Sequence, residues 1–273
     1  MRPENRWPDP RRAPTLARVT IAYDVAGDGP AVVLLHAGVC DRRMWEPQGA
    51  ALLAAGYRVV RCDFRGFGTT PAPTGTYRDA DDVREVLNTL SLDRVALVGA
   101  SHGGAVAAEL AARWPDRVAA LLLFSAALLG EERSPELRAF NAREDELLSA
   151  NDIAAATELN VTTWLGPEAS AQTRRQVAEM QQHAFQVQLA GPQDIGQFPA
   201  DFGLATISCP CLAVSGAHDL TDFRNAAEHL PATVPSAQHT ELPWAAHLPT
   251  LERPTEASQL MLNFLATAVP VPD

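Results

Sequence analysis

Apolar runs that do not alternate with polar residues are the strongest constraint in this chain. Ala31–Leu35, Tyr57–Cys62, Arg94–Val98, Val118–Phe124 and Cys211–Val214 are short and centred on Val, Leu and Ala. A strand with one wet face alternates, whereas a strand covered on both faces does not. Stretches of helical character separate these runs, over 44–55, 83–90 and 102–113 and later over 222–230 and 254–266. Strand, helix, strand in that order predicts an α/β architecture, a mostly parallel sheet with helices on both faces. Two weaker segments join it: Ala17–Tyr23 alternates like an edge strand, and Gln238–Leu242 reads as one more strand.

The rhythm breaks between Gly130 and Pro199. There Phe140, Leu147, Leu148, Ile153, Leu159 and Trp164, then Val177, Met180, Phe185 and Leu189, recur at helical spacing, and no buried strand is apparent. This segment is predicted to be a helical lid inserted between two strands. The expected organisation is therefore an N-terminal tail over 1–15, a core made of 16–129 and 200–273, and a lid over 130–199.

Charge and cysteine content narrow the function classes. A net charge of −11 repels phosphate backbones, which argues against a nucleic-acid partner. The four cysteines, Cys40, Cys62, Cys209 and Cys211, make no zinc-binding pattern with neighbouring histidines, so no metal or cofactor is expected. Met1–Pro14 has no apolar core of a signal peptide, and no apolar run approaches the roughly 20 residues needed to span a bilayer. The expectation is a cytoplasmic protein with free thiols and a small-molecule substrate, not a membrane partner; nothing in the sequence fixes its oligomeric state.

One motif carries chemistry. Gly99-Ala100-Ser101-His102-Gly103 fits G-x-S-x-G, a pattern that is weak alone. Here it follows the apolar stretch Val95–Val98 directly and opens a helix, the context the motif requires. A sharp strand-to-helix turn lifts the serine hydroxyl clear of the sheet and places it at a helix N-terminus, where the N–H of His102 points at a developing oxyanion. Glycine is needed on either side because the backbone approaches its neighbours closely.

Further marks stand in order along the chain: His36-Ala37-Gly38, Asp63-Phe64-Arg65-Gly66-Phe67-Gly68, the serine motif, Ser215-Gly216-Ala217-His218-Asp219, and Ala246-His247-Leu248-Pro249 ahead of Glu252-Arg253-Pro254. Together they resemble the α/β-hydrolase fold family over nearly the whole chain after the tail. The resemblance implies Ser101 as nucleophile and His247 as base, since His247 falls between the last strand and the last helix. Asp219, at the end of a strand between the lid and His247, is the expected orienting acid, giving the order Ser, Asp, His. Asp222 is the rival, although it also looks like the cap of the helix that follows. The family further implies a second oxyanion donor in the loop after Leu35, the N–H of Gly38 or of Val39, with His36 supporting that loop. Ala37 stands where relatives often carry glycine.

Asp63 and Arg65 read as a structural ion pair or turn bond. Trp45, Phe124, Trp164 and His183 are the expected substrate-binding residues, with Phe67 and Phe185 as further candidates for the pocket wall. The expected function is cofactor-independent hydrolysis of a carboxylic ester, lactone or thioester through an acyl-enzyme. Relatives with the same triad cleave carbon–carbon bonds or form peracids, and a receptor on the same fold is the non-enzymatic alternative. Haloalkane dehalogenases and epoxide hydrolases are disfavoured, because they carry Asp where Ser101 stands.

Overall fold

The structure, a computed structural model, describes residues 20–128, 132–192, 195–197 and 202–272. The tail expected over 1–15 lies outside the described residues. Among the described residues seven strands form one sheet in the order β1-β3-β2-β4-β5-β6-β7. They are β1 Tyr23–Ala26, β2 Ala31–Leu35, β3 Arg58–Cys62, β4 Val95–Ala100, β5 Val118–Phe124, β6 Cys211–Gly216 and β7 Ala237–Leu242. Every pairing is parallel except that of β1 with β3, where Tyr23 lies opposite Cys62.

Of the edge strand expected over Ala17–Tyr23, residues 17–19 lie outside the described residues; among the described ones the strand is Tyr23–Ala26 and residues 20–22 precede it. Its residues are all half-buried, and its place is set by the ladder with β3, a long-range pairing that local alternation does not encode.

The central strands are buried on both faces, as their unbroken apolar runs require. Val33 and Leu35 of β2 face a cluster with α2 (Asp79–Thr89), α3 (His102–Arg113) and the inner residues Ala227 and Leu230 of α7 (Thr221–Thr233). Val32 and Leu34 face the other way, onto α1 (Glu46–Ala54) and onto Met261 and Leu265 of α9 (Pro254–Ala268). Among the described residues no helix is long and apolar enough to cross a membrane.

Between β5 and β6, among the described residues, lie three α-helices, α4 Pro135–Ser149, α5 Ile153–Trp164 and α6 Ala171–Ala190. Each starts on a side-chain cap, from Ser134, Asp152 and Ser170 in turn, which accepts an otherwise unpaired early N–H. Leu137, Val161, Trp164, Val177 and Met180 join the α1/α9-side core, so the insert is packed on the sheet through an apolar seam.

A buried ionic network ties the strand ends together. Asp63 contacts the Arg42 guanidinium, accepts the Arg42 N–H at 2.8 Å and accepts the Thr69 N–H at 2.9 Å. Asp24 is shared between Arg42 and Arg61. Asp63 and Arg65 do not pair with each other, but each has structural partners: Asp63 makes a turn bond to the Thr69 N–H and an ion pair with Arg42. The chain turns between Asp63 and Arg65, and Arg65 pairs instead with Asp82 of α2 at 2.6 Å.

Candidate active site

The loop between β4 and α3 is a single residue, Ser101, with φ +50° and ψ −116°. A non-glycine residue held there costs roughly 1–3 kcal/mol and persists only where its surroundings enforce it. Here four hydrogen bonds do so, one of them from the Ala105 N–H to the Ser101 carbonyl at 3.2 Å. The Ser101 N–H donates to the Phe124 carbonyl, and the Ser101 carbonyl accepts from Gly104 and Ala127, each at 2.9 Å. The flanking glycines are dictated by close approach. A Cβ at Gly99 would stand 2.3 Å from the Gly103 carbonyl oxygen, and one at Gly103 would stand 2.3 Å from that of Leu35.

His247 sits between β7 and α8 (Pro249–Glu252), 2% exposed, with its Nδ1 2.8 Å from Asp219 Oδ2. The carboxylate can only accept, so Nδ1 carries a proton, and in the neutral ring Nε2 is the nitrogen with the lone pair. The second oxygen of Asp219 accepts the Leu220 N–H at 2.7 Å, which fixes the carboxylate on the turn after β6. Asp222 is occupied elsewhere: it accepts the Ser134 N–H at 2.8 Å and so ties the insert to α7. It does not cap α7, where Leu220 holds the capping position.

The loop carrying His247 is pinned from both sides by one buried carboxylate. Glu252 accepts the N–H of Ala246 at 3.0 Å and that of Leu248 at 3.2 Å. Burial pushes the Glu252 pKa upward, while these backbone donors pull it back. No motif pointed to Glu252 beyond its place in Glu252-Arg253-Pro254.

Ser101 and His247 line the same cavity, of about 240 Å³, together with Gly38 and Val39. A Cβ on Gly38 would lie 3.7 Å from that of His102, so the two segments expected to supply oxyanion donors are neighbours. The His102 ring turns away, its Nε2 2.9 Å from Asp79. His36 buttresses the Gly38 loop: its Nδ1 donates to the Ala37 carbonyl at 2.8 Å and its Nε2 accepts the Phe64 N–H at 3.0 Å. Burial pushes the His36 pKa down, partly opposed by the Asp63 charge, so the neutral ring is the one that fits.

Of the four expected substrate-binding residues only Trp164 lines this cavity. Trp45 and Phe124 are fully buried in the α1/α9-side core, because their side chains fill the space against the sheet instead of opening to its rim. His183 lies on the exposed side of α6, with its Nε2 2.8 Å from the Gly68 carbonyl oxygen, in a separate cavity with Asp41 and Glu179. Phe67 lines another cavity, of about 690 Å³, whereas Phe185 does line the Ser101 cavity. The rest of the wall comes from the insert: Phe140, Glu144, Asn160, Gln181 and Gln188. Sequence reasoning passed over its polar members. The available signal was the four-residue step from Asn160 to Trp164, which puts both on one helical face.

The four cysteines are buried and unbridged, and burial pushes the Cys211 thiol up to about 12. No cluster of potential metal ligands occurs among the described residues.

Comparison with known proteins agrees with this architecture. RutD of Variovorax paradoxus strain S110, provisionally named a carbamate hydrolase, is 31% identical over 258 residues, covering 89% of this chain and 95% of the relative. A thermophilic esterase from Thermogutta terrifontis superposes with a TM-score of 0.75 at 26% identity, covering 91% of this chain and 93% of the other. The enol-lactonase from Burkholderia xenovorans LB400 superposes with a TM-score of 0.70 at 26% identity, covering 90% and 96%. The alpha/beta hydrolase fold family model matches residues 30–254, and the chain belongs to that family.

Proposed function

We propose that the chain is a cofactor-independent serine hydrolase that cleaves a carboxylic ester, lactone or thioester through an acyl-enzyme. The observation that carries this reading is the 2.8 Å contact of Asp219 with His247, on the wall of the cavity into which the strained Ser101 projects. In this mechanism the His247 Nε2 lone pair takes the Ser101 proton as the hydroxyl oxygen attacks the carbonyl carbon. Asp219 holds the ring in that tautomer and stabilises the imidazolium, without taking the proton itself. The N–H groups of His102 and of Gly38 or Val39 receive the oxyanion, each contributing on the order of 100- to 1,000-fold in rate. His247 then protonates the leaving group, and water, activated by the same ring, releases the acid. The α4–α6 insert serves as the lid that shapes the substrate pocket.

The similarity to an esterase and an enol-lactonase supports this reaction class. The test is a turnover screen of p-nitrophenyl esters, lactones and a ring-fission dienoate with wild type and Ser101→Ala. Turnover of an ester or lactone, lost in the folded variant, is expected. Residual activity in the variant above about one part in a hundred contradicts the mechanism, since loss of such a nucleophile typically costs far more.

A further inference from the structure

The Ser101 cavity, at about 240 Å³, is smaller than the roughly 300–1,000 Å³ usual for a ligand pocket. Gly38, Glu144 and Gln188 also line the adjoining cavity of about 690 Å³, and the His102 ring lies on the wall of that larger space. His247 lines only the smaller of the two. The His102 ring is held from behind. Asp79 is 1% exposed, its Oδ2 lies 2.9 Å from His102 Nε2, and the same oxygen accepts from the Gln197 amide at 2.7 Å. A carboxylate only accepts, so Nε2 carries a proton, and in the neutral ring Nδ1 is the acceptor. The His102 side chain is 34% exposed, and its Nδ1 is neither buried nor bonded to any described residue. Phe64 packs edge-on against the ring at 5.1 Å. The one guanidinium among the described residues of this wall, that of Arg65, is already matched, donating to the two oxygens of Asp82 at 2.6 and 2.7 Å.

We infer that the Asp79–His102 pair is a specificity site for the acyl arm of the substrate, and that it selects an uncharged arm bearing a hydroxyl group. The inference deepens the serine-hydrolase reading and rests on it for the position of the scissile carbonyl. A leaving oxygen must come within hydrogen-bond reach of the His247 Nε2 to take its proton, so the leaving group occupies the smaller cavity. An apolar cavity of about 150 Å³ already holds benzene, so that group is about the size of one ring. The acyl arm points away from His247, past the oxyanion donors, into the larger cavity. There its hydroxyl donates to His102 Nδ1. A methyl group in the same place leaves that acceptor unpaired, and an ether oxygen meets it lone pair to lone pair.

Methyl esters from methyl 5-hydroxypentanoate to methyl 8-hydroxyoctanoate test this, each beside the analogues in which a methyl or a methoxy group replaces the hydroxyl. A site built to bond a hydroxyl discriminates strongly against an analogue lacking it. At the best-fitting length kcat/KM should favour the hydroxyl ester over the methyl analogue by about tenfold or more. His102→Phe keeps the backbone N–H and an aromatic ring, and should bring that ratio close to unity. Asp79→Asn can present an N–H to Nε2 and so move the ring proton to Nδ1, and the methoxy ester should then gain on the hydroxyl ester relative to wild type. A purely structural role for Asp79 would leave that ratio unmoved. Equal rates for hydroxyl and methyl esters at every length, or an unchanged ratio in folded His102→Phe, overturn the site. Dissociation constants of the same esters for Ser101→Ala, measured by calorimetry, should follow the wild-type order. That order of binding without turnover by wild type upholds the site and overturns the serine-hydrolase reading, whereas turnover with equal affinities for hydroxyl and methyl esters overturns the site alone.

Discussion

The indole of Trp164 stands 4.5 Å from the imidazole of His247, ring centroid to ring centroid. One ring belongs to the three-helix insert and the other to a loop of the sheet domain. Phe223 packs edge-on against the imidazole at 4.3 Å and against the indole at 5.6 Å, and Phe140 backs the indole at 4.7 Å. The imidazole is therefore positioned by an aromatic enclosure as well as by Asp219, and the insert contributes part of it.

Trp164→Leu keeps an apolar side chain but removes the flat surface against His247 and the indole N–H bonded to Asn160. Ester turnover is expected to fall about 10- to 100-fold, the scale of loss for a misplaced reacting group. Steady-state kinetics beside a thermal melt separates this from unfolding: an unchanged kcat in a folded variant contradicts a positioning role.

Glu252 bonds neither Ser101 nor the His247 ring, yet it holds both peptide N–H groups that flank His247. Glu252→Ala removes both acceptor oxygens, so the bonds to both N–H groups are lost. The expected result is a fall in kcat of about tenfold with KM little changed, because the loss concerns placement of the base and not substrate binding. A rise in KM alone would show that Glu252 acts on the pocket instead.

His36 links folding to pH. Its pKa is lowered in the folded state, so below the ordinary imidazole range the unfolded chain binds more protons there than the folded chain. Stability from this group is thus complete above the unfolded pKa of about 6.5 and is lost as pH falls towards the depressed folded value, by up to about 1.4 kcal/mol per pH unit. His36→Gln should flatten the dependence of unfolding free energy on pH between 7 and 5, as read by urea denaturation. An identical slope in the variant excludes His36 as its source.

Asp63 is wholly buried against Arg42. Asp63→Ala leaves a nearly buried guanidinium with only Asp24 and Thr69 as polar partners. Destabilisation of about 3–5 kcal/mol is expected, seen as a lower denaturation midpoint. A loss below about 1 kcal/mol would mean that water or Asp24 compensates fully.

How far the sequence discloses this molecule depends on the range of the interactions involved. The parallel strands were legible because burial on both faces leaves an unbroken apolar run, as in Val32–Leu35 and Leu121–Phe124. The turn at Ser101 was legible because its motif directly follows an apolar strand and opens a helix; Gly99 answers a steric demand within that junction, whereas Gly103 answers one from Leu35 of β2. The proximity of Asp219 and His247 could be read only through their place in the chain order of a fold family. The cavity wall was not legible. Trp45 and Phe124 are large and apolar, and a sequence does not say whether such side chains face the sheet or its rim. Glu144, Asn160 and Gln181 look like ordinary polar residues of surface helices until the packing of α4, α5 and α6 turns them inward. The Arg65–Asp82 pair escaped for the same reason, since its partners meet only when α2 docks beside β3.

The most direct test of the central claim is covalent capture of the nucleophile. Folded wild-type protein treated with a fluorophosphonate should gain the mass of one adduct, mapped by peptide sequencing to Ser101, with labelling abolished in Ser101→Ala and strongly slowed in His247→Ala. An unlabelled Ser101 in folded protein, or an adduct on another residue that persists in Ser101→Ala, would contradict the account.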